Sequence, residues 1–180
     1  MNLESLSKEM SYALRHSPQD YGLEFDEHGW ASMSVLIEAL RKQECYGSLS
    51  TSDIEKMIAT SEKTRFEIEG DRIRALYGHS VKERIEKEPA RPPDVLFHGT
   101  THKSIGSISE MGLISKERQY VHLSVDKKTA LIVGKRRDKN PVLLIIDAKK
   151  ACSDGVLFYE GVSGIWLADT VPPTYIQVAL

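Results

Sequence analysis

A change of composition between residues 81 and 94 constrains this chain more than any other feature. Lys82, Glu83, Arg84, Glu86, Lys87 and Glu88 mix the two signs of charge, and Pro89, Pro92 and Pro93 follow. Mixed charges build no core and prolines withdraw backbone donors, so the stretch reads as a solvated, semi-rigid connector. A chain of 180 residues divided there gives two lobes, each long enough for a modest core. The expected division is residues 1–85, a linker at 86–94, and residues 95–180.

The first lobe patterns as helix, strand, helix, helix and hairpin. Leu6, Met10, Ala13 and Leu14 recur at helical spacing and predict an amphipathic helix over residues 5–16. Ser17-Pro18 ends it, because the residue before a proline avoids the α region. Leu23 and Phe25 alternate with polar neighbours, and a turn at His28-Gly29 leads to Trp30, which predicts a short strand. Ser32 or Ser34 can cap a second helix carrying Val35, Leu36, Ala39 and Leu40. Ser52 with Glu55 forms a capping-box pattern before Ile54, Met57 and Ile58. Phe66 and Ile68, then Glu69-Gly70-Asp71, then Ile73 and Ala75 read as a hairpin. This is the element order of a winged helix.

The second lobe is strand-rich. Val95-Leu96-Phe97, Val121-His122-Leu123-Ser124 and the apolar run over 142–146 read as strands, as do Leu157-Phe158-Tyr159, Ile165-Trp166-Leu167 and Tyr175-Ile176-Gln177-Val178. Ile105, Ile108 and Met111 mark a helix ended by Gly112. Residues 129–134 predict a short helix, followed by a basic loop, Lys135-Arg136-Arg137. The expected fold class is α+β.

Composition narrows the function. With 41% hydrophobic and 28% charged residues the chain is ordinary for a globular protein. A formal net charge of -2 supplies no global attraction for nucleic acid, so any such binding rests on local clusters. Cys45 and Cys152 fit no metal or redox pattern and favour a reduced, cytoplasmic setting. Neither a signal-peptide layout nor a membrane-length apolar run is present, so no membrane partner is expected. The fingerprints G-x-G-x-x-G and G-x-x-x-x-G-K-[ST] are both absent, so any dinucleotide is held outside a Rossmann frame.

Four residues could handle an oxyanion: Arg15, His16, Arg65 and Arg118. Each has an ordinary alternative. Arg15 and His16 suit a helix C-terminus, where cations are favoured, and Arg65 and Arg118 suit solvated strand edges. Pooled, three guanidiniums and an imidazole could clamp a dianionic phosphate, each charge-assisted bond contributing about 1.5–3 kcal/mol. A histidine titrates near neutral pH and could exchange a proton beside them. Phe97-His98-Gly99-Thr100 and His122-Leu123-Ser124 each end a predicted strand with a histidine and a hydroxyl. They are either core-edge residues or the walls of a ligand cleft in which Gly99 admits a ring close to the backbone. His98, His102 and His122 lack a nearby carboxylate or thiolate at metal-ligand spacing, so no metal is expected.

On these residues the chain resembles the RNA 2′-phosphotransferases of the KptA type over essentially its whole length. The motifs are Leu6-Ser7-Lys8 with Leu14-Arg15-His16, Lys63-Thr64-Arg65-Phe66, Ile73-Arg74-Ala75 with Gly78-His79-Ser80, Phe97-His98-Gly99-Thr100, Arg118 with Tyr120-Val121-His122-Leu123-Ser124, and Ile165-Trp166-Leu167. The resemblance implies a winged-helix-like N-terminal lobe that binds RNA and phosphate, and an ADP-ribosyltransferase-like C-terminal lobe that binds NAD. It implies a reaction in which an internal RNA 2′-phosphate, of the tRNA splice-junction type, attacks C1″ of the nicotinamide ribose and expels nicotinamide. The ribose 2″-hydroxyl then attacks that phosphorus, giving RNA with a free 2′-hydroxyl and ADP-ribose 1″,2″-cyclic phosphate.

By the same resemblance the catalytic tetrad falls on Arg15, His16, Arg65 and Arg118, and the NAD-binding residues on His98, Gly99, Thr100, His122 and Ser124. NAD is then a co-substrate, RNA the partner, and the chain a monomer. The family usually carries Gln where this chain has Tyr77. Two other classes compete: an ADP-ribosyltransferase that caps terminal phosphates of RNA or DNA, and a non-enzymatic winged-helix nucleic-acid binder. The second expects a basic third helix, but that segment carries Asp53, Glu55 and only Lys56.

Overall fold

A computed structural model describes residues 2–179. The chain divides into two compact units, Met1–Glu86 and Lys87–Leu180. Among the described residues there are six α-helices and eleven strands, every strand pair antiparallel.

The first unit opens with α1 (Leu3–Arg15), which buries Leu6, Met10, Ala13 and Leu14. It begins two residues before the sequence reading because Asn2 caps it, its Oδ1 accepting from the N–H groups of Glu4 and Ser5 at 2.9 and 3.2 Å. Such a cap is worth about 1 kcal/mol. Pro18 stops α1 as anticipated and starts a 3₁₀ turn, Pro18–Tyr21.

Residues 23–30 form a loop, not the expected strand. Asp26 Oδ1 accepts from His28 and Trp30 N–H at 3.0 and 2.9 Å, bending the backbone through an Asx turn. Only β1 (Ala31–Ser32) is extended. Ser32 then caps α2 (Met33–Arg41). A capping box does open α3 (Thr51–Thr60), but it is Ser50 with Asp53, two residues before the Ser52–Glu55 pattern. The hairpin β2 (Phe66–Glu69) and β3 (Arg72–Ala75) turns at Gly70, φ +59°, and completes a sheet of order β1-β3-β2.

The charged stretch after the hairpin is packed at both ends. Lys82, Glu83, Arg84 and Glu86 face solvent, yet Val81 and Ile85 are buried, and Glu86 N–H donates to the Glu27 carbonyl at 2.8 Å. Spacing of four between Val81 and Ile85 was the overlooked apolar signal. Further on, Ala90 N–H donates to the Phe158 carbonyl at 2.8 Å, and Pro89 bridges to Tyr159.

The second unit follows with β4 (Val95–Thr100), α4 (Ile105–Met111), β5 (Leu113–Ile114), β6 (Val121–Ser124), α5 (Lys127–Gly134), β7 (Val142–Asp147) and α6 (Ala148–Ser153). It ends with β8 (Phe158–Glu160), β9 (Ile165–Ala168), β10 (Thr170–Val171) and β11 (Ile176–Val178). Six strands make one sheet of order β11-β7-β4-β6-β9-β8, and β10 pairs with β5. Leu96, Leu123, Leu144, Ile146, Phe158 and Trp166 fill the core on one side of the sheet. Helix α6, absent from the sequence reading, is capped by Asp147, whose Oδ1 accepts from Lys150 N–H at 3.0 Å.

Packing of α5 on the sheet depends on two glycines. A Cβ at Gly99 of β4 would stand 2.1 Å from the Ala130 carbonyl oxygen, and one at Gly134 would stand 2.7 Å from Pro141 Cβ. Gly99 therefore admits a helix backbone. No helix among the described residues is long and apolar enough to cross a membrane.

Candidate active site

In the first unit Arg15 is the last residue of α1 and His16 its C-cap. Burial of Leu6, Met10, Ala13 and Leu14 fixes the rotation of the helix, so the two polar residues emerge on a set flank. The segment after β3 returns to the same flank. Ser80 N–H donates to the Arg15 carbonyl at 2.8 Å, and Ser80 Oγ lies 2.8 Å from His16 Nδ1. That bond orients the imidazole.

Arg15 is held from three sides. Its Nη2 donates to the Arg65 carbonyl at 3.4 Å, a carbonyl that also accepts Leu76 N–H at 3.0 Å. Its Cζ stands 4.9 Å from the centre of the Tyr77 ring and 5.7 Å from that of Phe66. Gly78, at φ +87°, carries the chain around the guanidinium. Arg65 begins the run into β2 and donates from Nη1 to Ser61 Oγ at 2.9 Å. The unit thus gathers Arg15, His16 and Arg65. Two guanidiniums match phosphate oxygens bidentately, and an imidazole beside them can move a proton.

In the second unit His98 and Thr100 alternate along β4, and His122 and Ser124 along β6, with Phe97 opposite Ser124 in the pairing. The strand runs through Thr100, so the His-Gly-Thr motif lies within it. His98 Nδ1 stands 2.9 Å from the His122 carbonyl, an acceptor only, so Nδ1 carries the proton and donates. Burial of the ring, opposed by this bond and aided by nearby Lys116, holds the His98 pKa below its ordinary value of 6.5. A neutral His98 with Nδ1 protonated presents Nε2 as an acceptor. His122 Nδ1 in turn donates to the Tyr120 carbonyl at 3.1 Å. Thr100 and Ser124 are both buried polar residues.

Arg118 lies on the loop between β5 and β6 with its side chain exposed, its N–H donating to the Ser115 carbonyl at 3.1 Å. Lys116, at φ 54°, starts the same turn. His102 is turned toward Asp138, its Nδ1 3.2 Å from Oδ2. Among the described residues no group of three or more His, Cys, Asp or Glu side chains could hold a metal ion. Sequence reasoning gave no role to Ser61, since a lone serine carries no pattern, and named Ser80 only within the Gly78-His79-Ser80 motif. Tyr77 stood out only as a departure from the family.

Comparison with known proteins places the chain among its relatives. The model of the RNA 2′-phosphotransferase, Tpt1/KptA family, matches residues 2–170. A protein of Acetivibrio thermocellus named "Probable RNA 2'-phosphotransferase" is 50% identical over 177 residues, 98% of this chain and 97% of its own. One of the same name from Bacillus thuringiensis subsp. konkukian is 47% identical over 174 residues, 97% of this chain and 94% of its own. A third, from Acaryochloris marina, is 42% identical over 175 residues, covering 96% and 95%. The fold is mixed α/β, and the matching family and relatives are named as transferases. The chain belongs to the RNA 2′-phosphotransferase, Tpt1/KptA family.

Proposed function

We propose that the protein is an NAD-dependent transferase that removes an internal 2′-phosphate from RNA and passes it to NAD as co-substrate, without a metal. The observation that carries this reading is the Arg15 guanidinium bonded to the Arg65 backbone, with His16 bonded to Ser80, in a chain of this family. Arg15, Arg65 and Arg118 hold the phosphate for attack on C1″, then stabilise charge on its equatorial oxygens while the ribose hydroxyl attacks phosphorus. His16 handles the proton of that second step, at the ribose hydroxyl or at the departing RNA oxygen.

His98, Gly99, Thr100, His122 and Ser124 form the NAD-binding set. The acceptor chemistry of His98 supports this: its Nδ1 donates to the His122 carbonyl, which leaves Nε2 of the neutral ring as an acceptor. In these terms residues 1–85 are a winged-helix-like lobe for RNA and phosphate and residues 95–180 an ADP-ribosyltransferase-like lobe. The order α1, β1, α2, α3, β2, β3 supports the first, and the six-stranded antiparallel sheet is compatible with the second. The protein acts as a cytoplasmic monomer on tRNA-type substrates.

The test is to incubate 2′-phosphorylated RNA with the protein, with and without NAD. Loss of the phosphate only when NAD is present supports the reading. RNA unchanged in both overturns it, and RNA that accumulates an ADP-ribosylated end points to a capping transferase.

A further inference from the structure

The basic loop after α5 has no part in the site described above. Between Lys127 and Lys139 lie six lysines and arginines, a quarter of the chain's 24, against one acid, Asp138. Four of them, Lys135, Arg136, Arg137 and Lys139, fall within five residues and are exposed, and Lys103 is exposed on the neighbouring turn. None of these five makes an ion pair among the described residues. The one acid among them is committed elsewhere. Asp138 Oδ2 accepts from His102 N–H and from His102 Nδ1, both at 3.2 Å, and Oδ1 accepts from Asn140 N–H at 3.0 Å.

The same bonds fix the loop in place. Arg136, Arg137 and Asp138 N–H donate to the Val133 and Gly134 carbonyls at 3.0–3.2 Å, prolonging α5 as tight turns. Gly134 itself packs on Gly99. Asp138 ties the far side of the loop to His102, two residues beyond Thr100. The backbone that carries these five cations is therefore anchored beside the strand that carries His98, in a chain whose net charge is -2. Clustered cations without ion pairs, on a protein of net negative charge, complement a polyanion and carry no base-reading pattern.

We propose that Lys103 and the loop 135–139 form a docking surface for the phosphodiester backbone of single-stranded RNA, separate from the residues that handle the 2′-phosphate. The proposal rests on the reading of RNA as substrate. Contacts of this kind are sequence-independent and release counterions, so each neutralised phosphate contributes about 0.7 to the slope of log affinity against log salt for a single strand.

The test measures binding of the full chain to an unmodified RNA of about a dozen nucleotides, enough to cover such a patch, across a salt series without NAD. The variants are the triple Arg136→Gln/Arg137→Gln/Lys139→Gln, the single Arg137→Gln, and the charge-preserving Arg136→Lys/Arg137→Lys. The triple variant is expected to flatten the salt slope by about 2 and to weaken binding by roughly tenfold or more at physiological salt. The single variant flattens it by about 0.7, and the lysine variant keeps the native slope. Native slope and affinity in the triple variant overturn the proposal. Retained RNA affinity with lost binding to phosphatidylserine vesicles also overturns it, transferring the patch to a membrane surface. Binding is read without turnover, so loop-dependent binding by a protein that leaves 2′-phosphorylated RNA unchanged upholds the surface and removes the activity.

Discussion

The guanidinium of Arg15 lies over the ring of Tyr77, 4.9 Å from its centre, while its Nη2 donates to the Arg65 carbonyl. An arginine at a helix end would otherwise sample many rotamers. The aromatic face of Tyr77 and the Arg65 carbonyl hold it in the observed position. The flat π surface gives Tyr77 a role that its hydroxyl does not require. Tyr77→Phe should keep turnover close to that of the native protein. Tyr77→Ala should lower kcat by roughly 2- to 30-fold, the equivalent of about 0.5–2 kcal/mol for a cation–π contact. Steady-state kinetics of both variants decide this, and equal losses in the two would assign the effect to the hydroxyl.

Arg118 separates fold from chemistry most cleanly. Its side chain is exposed on a loop, so Arg118→Ala should change unfolding free energy by less than about 0.5 kcal/mol. Loss of a charge-stabilising donor should nevertheless cut turnover by about 100-fold or more. Arg15→Ala is expected to match it in rate. Denaturant unfolding beside kinetics gives both numbers, and near-native rates would remove the residue from the tetrad.

His98 links the site to pH. Its folded pKa is depressed by burial, so it is neutral in both states above 6.5 and contributes no pH dependence there. As pH falls below 6.5 the unfolded chain takes up a proton that the folded ring refuses, and stability declines until the folded pKa is passed. His98→Asn, which keeps an amide donor for the His122 carbonyl, should lose this part of the decline. Thermal unfolding of the two proteins at pH 7 and about pH 5 measures it; parallel pH profiles would contradict the burial argument.

Much of the secondary structure was legible because local chemistry decided it. Pro18 after Ser17, Gly112 after Met111, and Gly70 between two alternating strands each left one backbone option. The failures include a helix start placed two residues late. The sequence reading took Ser52–Glu55 as the cap of α3, whereas Ser50–Asp53, a pattern of the same spacing, forms it. Ser50→Ala should therefore cost about 1 kcal/mol of stability, and Ser52→Ala little, in denaturant unfolding.

The candidate site was legible only as residue types. Nothing local to Ser80 or Tyr77 announces that they meet His16 and Arg15, because those contacts close over more than sixty residues of chain. Val81 and Ile85 were hidden by the charges around them, and nothing local to Gly99 announced that a helix backbone packs on it.

That last contact makes a sharp stability prediction. Gly99→Ala would drive a Cβ to within 2.1 Å of the Ala130 carbonyl oxygen, which belongs to rigid backbone. Relief requires α5 to move off β4, so the variant should lose about 3 kcal/mol or more. Near-native stability in denaturant unfolding would show that α5 is loosely held.

The most direct measurement follows the phosphate itself. RNA carrying a radiolabelled internal 2′-phosphate is incubated with the protein and NAD, and the labelled products are separated. Label recovered in ADP-ribose 1″,2″-cyclic phosphate, with one nicotinamide released per phosphate removed, is the expected result. Label recovered as inorganic phosphate, or left on the RNA, would contradict the account.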